Sequence, residues 1–225
     1  MPLEVPGVEA IPWSSMARDF DGFESSLFIN CPFDREYLPL LQSLIFAVFE
    51  CGLQPRIASE QADSGRVRID KIRDLIRSCR YSVHDISRIE ALQPGDEPRF
   101  NMPFELGLDL GCRYYGAPRL RDKQCLILEK EPYRYQRVLS DTSGNDIRAH
   151  GGDPKVLMSE VRNWLRVVTD RPLPSGESLW ASFSLFRIYL DGILGRHRYS
   201  ERDVQSLEFV EYVGFIRDWK VPGTN

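Results

Sequence analysis

The sequence predicts an α/β protein, a parallel sheet with helices on both faces followed by a small helical extension. Two observations lead there. From Ser26 to Val168, short apolar runs alternate with longer stretches of helical apolar spacing, the pattern of repeated strand–helix units. After Arg171-Pro172-Leu173-Pro174-Ser175-Gly176 the strand signal stops and only helical stretches follow; a cluster of this kind marks a boundary.

Residues 1–24 are rich in proline, glycine and acids and read as a loosely held N-terminal arm. Ser26-Leu27-Phe28-Ile29-Asn30 is a compact apolar run bounded by turn signals, hence a buried strand. A loop, Cys31-Pro32-Phe33-Asp34, follows. Leu38, Leu41, Leu44, Ile45, Val48 and Phe49 then set the face of a helix from about Tyr37 to Cys51, with Gly52 as its stop. Leu53 to Ala58 is a second strand, and Pro55 within it predicts a sheet edge. Ile69, Ile72, Leu75 and Ile76 define an amphipathic helix to Cys79, and Tyr81 to Ile86 is the third strand. After a loop holding Pro94, Gly95 and Pro98, a helix opens near Asn101, with Pro103 in its first turn. Asn101 is its expected N-cap. Gln124 to Leu128 is a fourth strand, and residues 153–168 form a helix on Val156, Val161, Trp164, Leu165 and Val168. Leu179 to Leu194 reads as a helix, and Glu201 to Trp219 as one or two more behind a Ser200 cap. The division is an arm (1–24), an α/β domain (25–170) and a helical extension (176–225). The extension is too small to fold alone and needs the main domain or a second chain to pack on.

With 42% hydrophobic and 28% charged residues, the 225-residue chain has the composition of an ordinary soluble globular protein. A net charge of −4 argues mildly against a nucleic-acid coat protein and leaves room for a local basic patch. No apolar run approaches the ~20 residues of a membrane helix, and the first residues lack the basic start and apolar core of a secretion signal. The five cysteines are odd in number and scattered without a C-x-x-C pair, which fits buried thiols in a cytoplasmic protein. The three histidines lie far apart in sequence and suggest no metal site.

The chemistry concentrates between Tyr81 and Gly111. Asp85 ends a strand, and Asn101 and Glu105 share one face of the helix that follows. Glu105 sits in the first turn, at the positive end of the helix dipole, within an otherwise apolar stretch. In open α/β sheets ligands bind where strands end and helices begin. Cleavage of an N-glycosidic bond passes through an oxocarbenium-like state, which a carboxylate in Glu105's place would stabilise or trap. Asp85 is the second acid, either a strand-end cap or the group that serves the leaving base or water. His84 points to the opposite face if the strand continues that far, and reads as structural or as a lesser candidate. Phe33 either stacks on a base or joins the core. Arg66, Arg68, Lys71, Arg73, Arg77 and Arg80 form a basic helix; such runs are mostly solvated faces, with phosphate contact by one member as the sharper reading. Asp141 and Asp146 flank Gly144 in a polar loop, a turn by default and a substrate-contacting loop otherwise. The chain has no G-x-S-x-G, dinucleotide or P-loop signature.

Together these residues resemble the nucleoside 2-deoxyribosyltransferase-like group and the related TIR domains, over about residues 25–168. In the former, the first strand ends in a Gly-Pro-Phe type loop, and Cys31-Pro32-Phe33 is similar, with Cys in the Gly position. A Glu-Leu-Gly carries its nucleophile, matched by Glu105-Leu106-Gly107, and Asp85 is the nearest match to an aspartate that holds and protonates the base. In TIR domains a Phe-Ile-Ser opens the fold, similar to Phe28-Ile29-Asn30, and a helix glutamate supports NAD cleavage. Their usual Trp-Cys before that glutamate is replaced here by Asn101-Met102-Pro103. The resemblance implies a flavodoxin-like sheet and cleavage or transfer at an N-glycosidic bond, with NAD as substrate rather than cofactor. Glu105 would meet C1′, Asn101 and Asn30 would bind ribose hydroxyls, Pro32 and Phe33 would line the substrate loop, and no metal is needed. It also implies a homo-oligomer and a defence or signalling setting. The rivals are a true 2-deoxyribosyltransferase, which would exchange bases, and a non-catalytic nucleotide-sensing or assembly module.

Overall fold

Five strands pair into one all-parallel sheet in the structure, a computed structural model that describes residues 22–91 and 95–220. The strands are β1 (Ser26–Asn30), β2 (Gln54–Arg56), β3 (Tyr81–Asp85), β4 (Gln124–Glu129) and β5 (Arg148–Ala149). Their spatial order is β2-β1-β3-β4-β5, that of flavodoxin-like folds. The helices are α1 (Leu38–Glu50), α2 (Arg68–Ser78), α3 (Asn101–Tyr115), α4 (Pro154–Val168), α5 (Gly176–Arg196), α6 (Glu201–Gln205) and α7 (Phe209–Lys220).

Strand alternation assigns the layers. Leu27, Ile29, Val83, Leu126 and Leu128 join the core built with α1 and α4. Phe28 packs with Ile72, Leu75 and Ile76 of α2, and Ile127 packs with Met102 and Leu106 of α3. Period-two alternation puts such neighbours on opposite faces. Register then carries the same logic to polar residues: His84 lies beside Ile127, and Asp85 beside Leu128.

Edge strand β2 contains Pro55, in keeping with its expected place. The other edge, β5, is missing from the sequence prediction. It spans two residues, pairs only with Leu128 and Glu129, and carries no apolar run to announce it. The first 21 residues of the predicted arm, and Pro94, lie outside the described residues. Residues 22–25 form a 3-10 turn that is tied down: the Arg80 N–H donates to Phe23 O at 2.9 Å, and Glu24 pairs with Arg80.

A second correction concerns α3. Its N-cap is Phe100, already helical at φ −63° and ψ −18°, with no side-chain cap. The Met102 and Phe104 N–H groups donate back to Arg99 O and Phe100 O, so the chain begins to wind before Asn101. The Asn101 side chain is thereby released for another partner.

The C-terminal helices supply a further layer. Phe46 of α1 lies 5.2 Å from both Phe183 and Phe186 of α5 and 5.7 Å from Trp219 of α7, ring centre to ring centre. Tyr212 also reaches α1, donating from its hydroxyl to Gln42 O at 3.1 Å.

Candidate functional site

The sheet order reverses direction between β1 and β3, and the crevice at the carboxyl ends of such strands is where ligands bind. A cleft of about 270 Å³ opens there. Cys31, Pro32, Phe33 and Asp34 line it from the loop after β1. Arg68 enters from the start of α2, and Arg99, Asn101 and Met102 from the start of α3. Phe33 is 47% exposed and so stands in the wall rather than in the core.

Glu105 sits one turn behind Asn101 on α3 and is 4% exposed. Burial raises its pKa, and the Arg68 guanidinium and the nearby Asn101 side chain offset only part of that rise. The spacing read from sequence therefore brings Asn101 and Glu105 together on α3, with Asn101 in the lining of the cleft and Glu105, one turn on, outside that lining.

Asn30, at the end of β1, is buried. Its Nδ2 donates to Met102 O at 2.9 Å and faces His84 Nδ1 at 3.0 Å. Since that nitrogen is committed as a donor, His84 Nδ1 accepts, and Nε2 carries the proton to Asp109 Oδ2 at 3.0 Å. Lys123 Nζ completes the chain 3.2 Å from Asp109 Oδ1. Burial alone would raise the Asp109 pKa; the His84 hydrogen bond and the Lys123 charge outweigh it and hold it low. The other Asn30 amide atom, Oδ1, is buried with no hydrogen-bond partner among the described residues.

Asp85 is enclosed. Its Oδ2 accepts from the Tyr37 hydroxyl at 2.5 Å and from His150 Nε2 at 3.0 Å, and its Oδ1 from the Ser87 N–H at 2.9 Å. Burial pushes its pKa up, yet the hydrogen bonds from His150, Ser87 and Tyr37 hold it below the usual carboxylate value. Ser87, His150 and Asp85 look like a nucleophile–base–acid trio, but the geometry is wrong for one. Ser87 Oγ and Asp85 both address Nε2, while Nδ1 accepts the Gly152 N–H at 3.0 Å; a working trio needs them on opposite nitrogens.

Cys31 is no nucleophile either. Burial, then the nearby carboxylates of Asp85, Glu105 and Asp34, raise its thiol well above the ordinary value. His84, Asp109 and Cys125 bring ligand atoms within 4.8 Å of one another, but the Lys123 ammonium already supplies the cation there.

Asp141 and Asp146 are exposed on the segment before β5 and do not line the cleft. Tyr37, His150, Asp109 and Lys123 carried no signal in the sequence, since each meets its partner through tertiary packing rather than by spacing along one element. Arg99 did carry a signal, as a basic residue just ahead of the α3 start. No family model matches the sequence, and no curated protein matches it significantly. Among the described residues no helix is long and apolar enough to cross a membrane.

Proposed function

We propose that the protein cleaves the N-glycosidic bond of a nucleotide, with NAD as the leading substrate. The observation that carries this reading is Glu105: a buried carboxylate with a raised pKa, one helical turn from Asn101 in the lining of a switch-point cleft. As the C1′–N bond breaks, its electron pair leaves with nicotinamide and positive charge develops at the ribose. The Glu105 carboxylate stabilises or captures C1′, and water completes the hydrolysis. Asn30 Oδ1 supplies an acceptor for a ribose hydroxyl, and Asn101 a second polar contact from the lining. Phe33 offers a stacking face.

The enclosure of Asp85 favours NAD over a deoxynucleoside. A purine or pyrimidine leaving from a deoxynucleoside needs a proton, whereas nicotinamide departs neutral from a pyridinium. Both Asp85 oxygens are engaged, so its part is to hold Tyr37 and His150 beside the cleft loops. The same resemblance supports a homo-oligomer and a defence or signalling setting as part of this proposal.

The test is chromatography of products from NAD, and separately from deoxynucleosides with a free base, using the wild type and Glu105→Gln. Nicotinamide release that falls about a hundredfold or more in the variant is the expected result. A folded Glu105→Gln protein with full turnover overturns it. The low exposure of Glu105 favours one other reading, a nucleotide-binding module without chemistry, which predicts ligand binding and no product.

A further inference from the structure

We infer that the cleft holds the phosphate of its ligand between Arg68 and Arg99, and so selects a phosphorylated nucleotide over the corresponding nucleoside. The nucleotide identity rests on the reading above; the anion site rests on the cleft itself.

Four features make this end of the molecule positive. Arg68 and Arg99 both line the cleft. Among the described residues neither forms an ion pair within 4.0 Å, although Arg68 feels Glu105 and Arg99 feels Asp34 at longer range. Two helices, α2 and α3, also begin at the lining, and both start without a side-chain cap. The positive dipole ends of the two helices favour an anion.

The neighbouring basic residues behave differently. Arg66 pairs with Asp74 at 2.6 Å and Arg73 with Asp70 at 3.0 Å. Lys71 Nζ is held by the carbonyls of Gln61 and Asp63. Arg88 is committed to Asp34 and Glu36, and that pairing answers the one carboxylate in the lining. What remains in the lining without an ion partner among the described residues is Arg68 and Arg99, whose forked donors suit phosphate oxygens. Beside it, Asn30 Oδ1 lacks a partner among the described residues and is flanked by two lining residues, its chain neighbour Cys31 and its hydrogen-bond partner Met102. A phosphate on the arginines and a sugar hydroxyl near Asn30 together describe a nucleotide, with the sugar placed toward Glu105.

Nicotinamide riboside and nicotinamide mononucleotide test this directly, since they share the glycosidic bond and differ by the 5′-phosphate. Both are titrated calorimetrically into Glu105→Gln protein, which removes turnover, and into the same protein carrying Arg68→Gln, Arg99→Gln or both. The mononucleotide is expected to bind about tenfold or more tightly than the riboside. Each arginine change should erode that preference, the double change should abolish it, and Arg→Lys should retain part of it. Arg77→Gln, which removes an equal charge from the far end of α2, should leave it unchanged. Circular dichroism confirms that each variant is folded. Equal affinity for the two ligands, no binding of either at millimolar concentration, or a preference that survives the double change overturns the inference. A phosphate preference with no product from the wild-type enzyme instead overturns the N-glycosidase reading and leaves the anion site standing.

Discussion

Glu105 and Asp85 are both buried, yet their surroundings drive them in opposite directions. For Glu105 the folded-state pKa is raised. The folded state therefore binds the proton more tightly than the unfolded chain, and folding is penalised as pH rises through the raised value. Glu105→Gln is expected to raise the melting temperature at neutral pH while removing activity, and thermal melts in parallel with the product assay check both. Because catalysis needs the carboxylate, the acid limb of the wild-type rate should lie above the ordinary glutamate range of about 4.3, read from initial rates against pH. Asp85 has the reverse sign. Its depressed pKa gives stability that is full above the ordinary value of about 3.9 and lost as pH falls through the lower one. Asp85→Asn should cost about 1–3 kcal/mol at neutral pH and flatten the acid end of a stability–pH curve from urea titrations. Asn101 and Glu105 were readable because helical spacing alone pairs them. Tyr37 and His150 were not, because they reach Asp85 from separate loops that only the folded sheet brings together.

At the scale of elements, α2 and α3 are coupled through Lys123. Its Nζ donates to Ile76 O at 2.8 Å and Cys79 O at 2.5 Å, capping the last turn of α2, while pairing with Asp109 of α3. Lys123→Met removes the cap and leaves the buried Asp109 carboxylate with the His84 hydrogen bond but no cation, a loss expected at about 3–5 kcal/mol. Adding Asp109→Leu should return part of it, and the coupling is read from a double-mutant cycle in urea. While α5 begins three residues before the expected Leu179, the bounds of α1, α2 and α4 were legible to within one residue from their apolar spacing. The strand β5 was not, since two residues of Arg148-Ala149 form a strand only because Leu128 and Glu129 are there to pair with them. The helix α3 does open at Asn101 as expected, but its cap is Phe100: asparagine is a good cap in general, and here the preceding turn winds first.

For the whole molecule, the layer of α5 and α7 closes the core of α1 and α4. Phe186 is fully buried between Phe46, Tyr212 and Trp219. Phe186→Ala should cost about 3–5 kcal/mol, measured by urea unfolding, with Trp219 fluorescence as a local reporter. The alternation of strands and helices made the parallel sheet legible, and the Pro-rich joint at residues 171–176 marked where it ends. The sequence did not indicate that the closing helices would settle on α1, because amphipathic faces declare that they need a partner without naming it.

That arrangement has a consequence for the nascent chain. Phe46 leaves the ribosome long before Phe183, Phe186 and Trp219 are made. At about 5–20 residues per second, the outer face of α1 waits roughly 10–35 seconds for Trp219. Through that interval the apolar face around Phe46 is open to chaperones, and to other unfinished copies of the same chain.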